Sequence, residues 1–323
     1  MKPTSRRLSA LTASIALLLS STAFGAAHVN PDTLHFLIPG GAGGGWDGTA
    51  RGTGEALTQS GMLQTASYEN MSGGGGGKAI AHLIETAERA KGTLMVNSTP
   101  IILRSLRGRF PQSFRDLTPI AGIIGDYGAF VVPADSKYQT FADVAQDYLA
   151  DPRSIRIGGG SVKGSMDHLV IAMALQAYGG RPDRVRYISY DAGGKAMAGL
   201  LSGETQILST GMGEVLEQAR AGQLRILCVT APKPVAGQRP CGNGIEFVNW
   251  RGFFGAPGLA DATADRYAAL LKDMQTTPEW ETVRARNGWV NIYNGRADFV
   301  AFLQDQEVAM KKLLNQLGIQ TVR

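Results

Sequence analysis

The sequence predicts an α/β protein of two domains, and three observations carry that prediction. Its 323 residues amount to about two domains at ~150 residues each. Short apolar stretches alternate with amphipathic stretches of helical spacing, the pattern of parallel sheets flanked by helices. Glycine contributes 42 of the 323 residues, about twice its usual ~7%, and gathers where strand gives way to helix. The glycines follow no Gly-X-Y period, which excludes collagen. Hydrophobic residues make up 44% and charged residues 18%, enough apolar material for buried cores and not the composition of a disordered chain.

Residues 1–27 read as a secretory signal peptide. Lys2, Arg6 and Arg7 form a basic start, an apolar run follows over 8–19, and Ala23-Phe24-Gly25 and Ala27 offer small residues for cleavage. The alternative is a membrane anchor, but the run is shorter than the ~20 residues a span requires. No cysteine stands near the cleavage point, which argues against a lipoprotein. The mature chain is expected to be exported and soluble. Its 32 basic and 27 acidic residues give a formal charge of +5, falling to +2 once the three leader cations are removed. Dispersed over the chain, that excess does not point to nucleic acid. Cys228 and Cys241 could pair in an oxidising compartment. Cys228 also lies in an apolar run over 224–229, where a buried free thiol is the alternative.

The elements follow in order. A strand over 34–38 leads through a turn over 40–48 to a helix over 49–59. A strand over 66–69 leads through Ser72 and five glycines to a helix over 78–89. A strand over 94–97 leads through Ser98-Thr99-Pro100 to a short helix over 101–106. Thr140 and Asp143 form a capping-box pattern before a helix over 141–149. A strand over 155–157 leads through Gly158-Gly159-Gly160-Ser161 to a helix over 165–178, with Ser165 at its start. A strand over 186–189 leads through Tyr190-Asp191-Ala192-Gly193-Gly194 to a helix over 195–201. A strand over 206–209 leads through Thr210-Gly211-Met212-Gly213 to a helix ending at Ala221. Phe299, Leu303, Met310, Leu313 and Leu317 keep helical spacing and predict a long C-terminal helix with one buried face.

The chemistry follows from the turns. In a parallel α/β sheet these turns gather at the carboxyl edge of the strands, where ligands bind. Each helix start offers unpaired N–H groups and the positive end of its dipole, and glycine lets a guest approach the backbone closely. Several such turns together point to an anion held by main-chain donors. Other patterns are excluded. Gly43 to Gly48 matches G-x-G-x-x-G with Glu69 beyond it, but the turn is too long for a dinucleotide fingerprint. Gly77-Lys78 lacks the first glycine and the hydroxyl of a phosphate loop. His28, His35, His82 and His168 show no metal spacing, there is no G-x-S-x-G elbow, and neither metal nor cofactor is expected. Lys78, Lys163 and Lys195 at three helix starts hint at a polycarboxylate; outward-facing solvated lysines are the alternative.

Pro39-Gly40-Gly41, Trp46-Asp47, Ala50-Arg51, Ser72-Gly73-Gly74, Asp126-Tyr127-Gly128, Gly158-Gly159-Gly160-Ser161, Gly193-Gly194 and Arg251-Gly252-Phe253-Phe254-Gly255 occur in that order. Together with the leader they resemble the substrate-binding proteins of the tripartite tricarboxylate transporters, the Bug receptors, over essentially the whole mature chain. The resemblance implies a two-domain periplasmic-binding-protein clamshell of type II kind. Each domain would be a mostly parallel sheet flanked by helices, and the chain would cross between them twice, near Tyr127 and near Val248. Domain 1 would comprise 28–127 and 248–323, and domain 2 would comprise 128–247. The resemblance further implies a monomeric, non-enzymatic periplasmic receptor that passes a small di- or tricarboxylate to a permease of one large and one small membrane subunit. Carried over, Gly40, Gly41, Trp46 and Asp47 would hold the ligand carboxylate, with Ser98 and Thr99 lining the same domain. Gly160, Ser161, Ser165, Asp191, Gly193 and Gly194 would face them. For Asp47 a helix cap, for Trp46 packing over the turn, and for Tyr127 a hinge or a lining position remain open; Arg251 is expected to pair between the domains or near the cleft mouth. Two other functions are consistent with these residues: a subunit presenting ligand to a membrane kinase, and an exported hydrolase using Ser161 or Ser165 beside Lys163.

Overall fold

The computed structural model describes residues 32–322, so the leader expected over 1–27 and His28 lie outside the described residues. The chain begins with strands β1 (Thr33–Ile38), β2 (Thr65–Asn70) and β3 (Thr93–Ser98), with β1 parallel to both of the others. Helices α1 (Gly45–Gln59), α2 (Gly77–Glu85) and α3 (Thr99–Leu106) follow these strands in turn. Next comes β4 (Thr118–Pro133), sixteen residues long. The second half continues with α4 (Phe141–Ala150), β5 (Ile157–Gly159), α5 (Met166–Ala177), β6 (Tyr187–Ser189), α6 (Gly193–Leu201), β7 (Ile207–Gly211), α7 (Leu216–Arg220) and β8 (Leu224–Val229). The chain closes with β9 (Val248–Gly255), α8 (Asp261–Met274), α9 (Pro278–Asn287), β10 (Val290–Gly295) and α10 (Arg296–Gln316).

Strand β4 belongs to two sheets. Its first part, to Tyr127, pairs antiparallel with β9 and over part of its length with β10; from Gly128 onward it pairs antiparallel with β7 and β8. The order is β2-β1-β3-β9-β4-β7-β5-β6. The sheets are more mixed than strand-turn-helix units suggest. Pairing is parallel within β1–β3 and within β5–β7, where helices return the chain to the same edge. It is antiparallel wherever β4, β8, β9 or β10 takes part. The chain leaves the first sheet between Tyr127 and Gly128 and returns to it at Val248.

Apolar side chains fill each layer. Phe36, Val96, Ile123, Phe253, Leu271 and Trp280 are buried beneath the first sheet. Val131, Leu200, Leu208 and Leu216 are buried beneath the second. A third, larger cluster runs between them and joins Leu103, Phe114 and Trp250 to Phe130, Val170 and Leu175. Helix α10 lays Phe299, Leu303, Met310 and Leu314 against it, with Phe299 edge-on to Trp250; the buried face turns to Leu314 while Leu313 is only half-buried. The Thr140–Asp143 capping box forms on α4 as its residues predict. Cys228 and Cys241 form a disulfide. Helix α1 begins at Gly45, four residues before the sequence expectation, because its first turn is built on glycine and carries no apolar periodicity.

Candidate functional site

A cavity of ≈ 330 Å³ opens where the carboxyl ends of the parallel strands of both sheets face each other. Glycine sets its walls by close approach. A Cβ on Gly44 would meet the Ala192 Cβ at 2.9 Å, and one on Gly41 would meet the Asp191 carbonyl oxygen at 3.1 Å. Ser72 donates to Asp191, and Arg107 Nη1 donates to the Gly164 carbonyl at 2.6 Å, so the two halves touch around the cavity.

Of the twelve residues expected at the ligand, nine line this cavity: Gly40, Gly41, Trp46, Ser98, Gly160, Ser161, Ser165, Asp191 and Gly193. Trp46 stands in the first turn of α1 and donates through Nε1 to Ser98 Oγ at 2.9 Å, which fixes the ring as an apolar wall against Gly40. Ser161 and Asp167 bond reciprocally: the Ser161 amide donates to Asp167 Oδ2 at 2.9 Å and the Asp167 amide to Ser161 Oγ at 3.0 Å. This closes the turn ahead of α5. Ser165 holds the cap position of α5, yet its hydroxyl makes no cap bond and is buried without a partner beside the cavity.

Asp47, Thr99 and Gly194 do not line the cavity. The helix start explains Asp47. Gly44 is the cap and Asp47 falls in the first turn, where its charge favours the dipole. Its carboxylate accepts from the Gly43 amide (3.0 Å), Arg51 Nε (2.9 Å) and Asn70 Nδ2 (3.0 Å), so it orders the turn. Thr99 is buried under Asn249, which accepts from its amide at 3.3 Å. Lys78, Lys163 and Lys195 are also absent from the lining, and Lys195 faces Asp191 at 3.6 Å, so the polycarboxylate hint drawn from them has no support here. Tyr127 is half-buried against the core of the second sheet, away from the lining.

The charged groups of the cavity were the part least visible in the sequence. Arg251, on β9, is 2% exposed in its side chain; Nη2 donates to Asp126 Oδ2 at 2.7 Å, and Nη1 to the Gly45 carbonyl (2.9 Å) and to Thr49 Oγ1 (3.0 Å). Its Nε is buried and unpartnered. Asp126 also accepts from the Gly213 amide at 3.1 Å. Glu214 and Asp167 complete the group. Burial pushes the Glu214 carboxyl up to about 8, with Arg251 opposing and the neighbouring Asp167 and Asp126 adding to the rise. Burial likewise takes Asp167 up to about 6, against the hydrogen bonds from Ser161. Asp126 is raised by burial and held down by Arg251. The sequence signal for Asp126 and Arg251 was a lone charge inside an apolar run (residues 120–132 and 250–254). Such a charge is buried with a partner or not at all.

The N-terminal turns of α1, α5 and α6 all open on this cavity. Their first amides have no partner within the helix, and the dipoles favour a negative guest. The fold and the site together define a solute-binding receptor with the periplasmic-binding-protein fold. Residues 50–319 match the tripartite tricarboxylate transporter family receptor profile, and the chain belongs to that family, which comprises transporter receptors and not enzymes. The periplasmic binding protein BugD superposes with a TM-score of 0.79 at 19% identity, covering 89% of this chain and 98% of its own. MatC from Rhodopseudomonas palustris, with bound malate, gives 0.75 at 16% identity, covering 87% and 98%. A second R. palustris protein, with adipate, gives 0.79 at 17% identity, covering 90% and 99%. Among the described residues no group of acids, histidines and cysteines could hold a metal ion, and no helix is long and apolar enough to cross a membrane.

Proposed function

We propose that this receptor works in the periplasm as a monomer, captures a small di- or tricarboxylate, and delivers it to the family's permease of one large and one small membrane subunit. One lobe would comprise 28–127 and 248–323 and the other 128–247, closing on the ligand about Tyr127 and Val248. The observation that supports this is the convergence of three helix N-termini, with the unpartnered Ser165 hydroxyl, on one cavity. Charge-assisted hydrogen bonds contribute ~1.5–3 kcal/mol each. Several of them reach the ~8 kcal/mol of micromolar binding. The malate and adipate bound by two relatives of this fold agree in chemistry with such a site.

The test is a thermal-shift screen of the purified protein, stripped of endogenous ligand, against C4 to C6 carboxylates including malate, adipate and citrate. A ligand that binds only the folded state raises the melting temperature. A rise with at least one of them is expected; no shift with any refutes the assignment.

A further inference from the structure

We propose that Glu214 is a direct ligand contact that works in its protonated form, so that the receptor holds its carboxylate guest together with a proton. The proposal rests on the carboxylate reading above and concerns the same cavity.

Glu214 ends the single turn Met212–Glu214 that follows β7, and it lines the cavity. Its carboxyl occupies space that two glycines leave open. A Cβ added to Gly193 would fall on Oε2, and one added to Gly45 would meet Oε1 at 2.9 Å. The carboxyl therefore lies between the first turns of α6 and α1, where a guest anion would sit. Its Oε1 is 3.7 Å from Arg251 Nη2, beyond hydrogen-bonding range. That nitrogen is already committed to Asp126 at 2.7 Å, and Nη1 to Gly45 and Thr49.

The groups that face Glu214 are Arg251 from β9, Asp126 from β4, Asp167 from α5, and behind Asp167 the Tyr187 hydroxyl from β6; Asp191 lines the same cavity, with the exposed Lys195 3.6 Å from it on the solvent side. One buried guanidinium thus meets two buried carboxyls and a third, Glu214, that keeps 13% of its side chain exposed toward the cavity. Uncompensated charges in such a volume neutralise by taking up a proton. Asp126 is in direct contact with the cation and with the Gly213 amide, and the Asp167 carboxylate accepts from the Ser161 amide at 2.9 Å. Glu214 has the amide of Gly211 and stands 3.7 Å from the cation without a hydrogen bond to it, the weakest compensation of the three, so the proton rests there. The rise of Glu214 to about 8, above the rise of Asp167 to about 6, agrees with this order.

A neutral carboxyl donates an O–H to a guest carboxylate. An ionised one places a like charge against it. The guest therefore favours the protonated form, and above the pH where Glu214 ionises each binding event takes up one proton from the buffer.

The experiment is isothermal calorimetry of the wild type and Glu214→Gln with malate, adipate and citrate, from about pH 6 to about pH 9.5, in two buffers of different ionisation enthalpy. All three probes are almost fully ionised above about pH 8, where the fall in affinity is read, so their own carboxyls take no part in it. Wild-type affinity is expected to fall by up to about tenfold per pH unit above about pH 8, with uptake approaching one proton. Glu214→Gln, whose amide mimics the neutral acid and still donates, is expected to bind with little change across the range and with no proton uptake from this position. Wild-type binding that is flat with pH in both buffers overturns this proposal alone. Wild-type and Gln profiles that fall in parallel also overturn it, because the proton then belongs elsewhere. Absence of binding by every probe at every pH overturns the carboxylate reading itself, and this proposal with it. Should Glu214→Gln fail to fold, the wild-type profile and proton count decide the matter without it.

Discussion

Arg251 on β9 and Asp126 on β4 meet at 2.7 Å, and each stands within a few residues of the point where its strand leaves or rejoins the first sheet. The pair is almost wholly buried. Removing one partner of such a pair leaves an uncompensated buried charge, which costs ~3–5 kcal/mol. Glu214, 3.7 Å from Arg251, can ionise in place of Asp126, so Asp126→Ala is expected to lower the unfolding free energy by up to that much in urea titration. A loss below ~1 kcal/mol would mean that the pair is well solvated, contrary to its burial, or that Glu214 replaces Asp126 in full.

Gly44 faces Ala192 across the cavity, and an added Cβ would come within 2.9 Å of the Ala192 Cβ. Its φ of −92° and ψ of 171° suit any residue, so an alanine carries no backbone strain. Gly44→Ala is expected to hold the two halves apart and weaken ligand affinity by about tenfold, ~1.4 kcal/mol, with unfolding stability changed by less than ~0.5 kcal/mol. Calorimetry beside urea titration measures both. Unchanged affinity would show that the closed arrangement is not needed for binding.

The Cys228–Cys241 disulfide closes a loop with a sequence separation of 13. Loop-closure entropy for such a span is ~3 kcal/mol. The double substitution of both cysteines by alanine is expected to lower stability by up to that amount. Neither cysteine lines the cavity, so ligand affinity is expected to remain. A large loss of affinity would show that the loop beyond β8 shapes the site.

His168 is held neutral. Burial, then the nearby Lys163 and Arg107 cations, push its pKa down to about 4, and its Nδ1 accepts from the Gly164 amide at 3.0 Å. A histidine depressed in the fold adds stability above its unfolded value of ~6.5, and that stability disappears as the pH falls through the folded value. The wild type is expected to lose stability between about pH 6.5 and about pH 4 more steeply than His168→Gln. Urea midpoints at several pH values measure the difference, and equal slopes would place the acid sensitivity on other groups.

The parallel units were legible because each repeats one local signal, an apolar strand, a glycine turn and a helix. Strand β4 was not. Its residues 120–132 are almost continuously buried, which erases the alternation that marks a half-exposed strand. It also changes partners midway, which no local window registers. The backbone part of the site could be read from the glycines. Its charged floor could not, because Asp126, Asp167, Glu214 and Arg251 are dozens of residues apart and meet only through the sheet order. Asp47 shows the converse: an acid in a glycine turn reads as a ligand group until the helix start is known, and then Arg51 and Asn70 account for it.

The continuous strand β4 has a mechanical consequence. A connection made of ladder-bonded backbone cannot swivel freely as a glycine linker does; it can only flex and twist like a leaf spring. In the closing motion proposed above, the travel of the jaws would thereby be restricted to one arc, each opening returning the rims to the same mutual orientation. A membrane partner that reads both rims at once would then meet two well-defined profiles, one for the loaded state and one for the empty state.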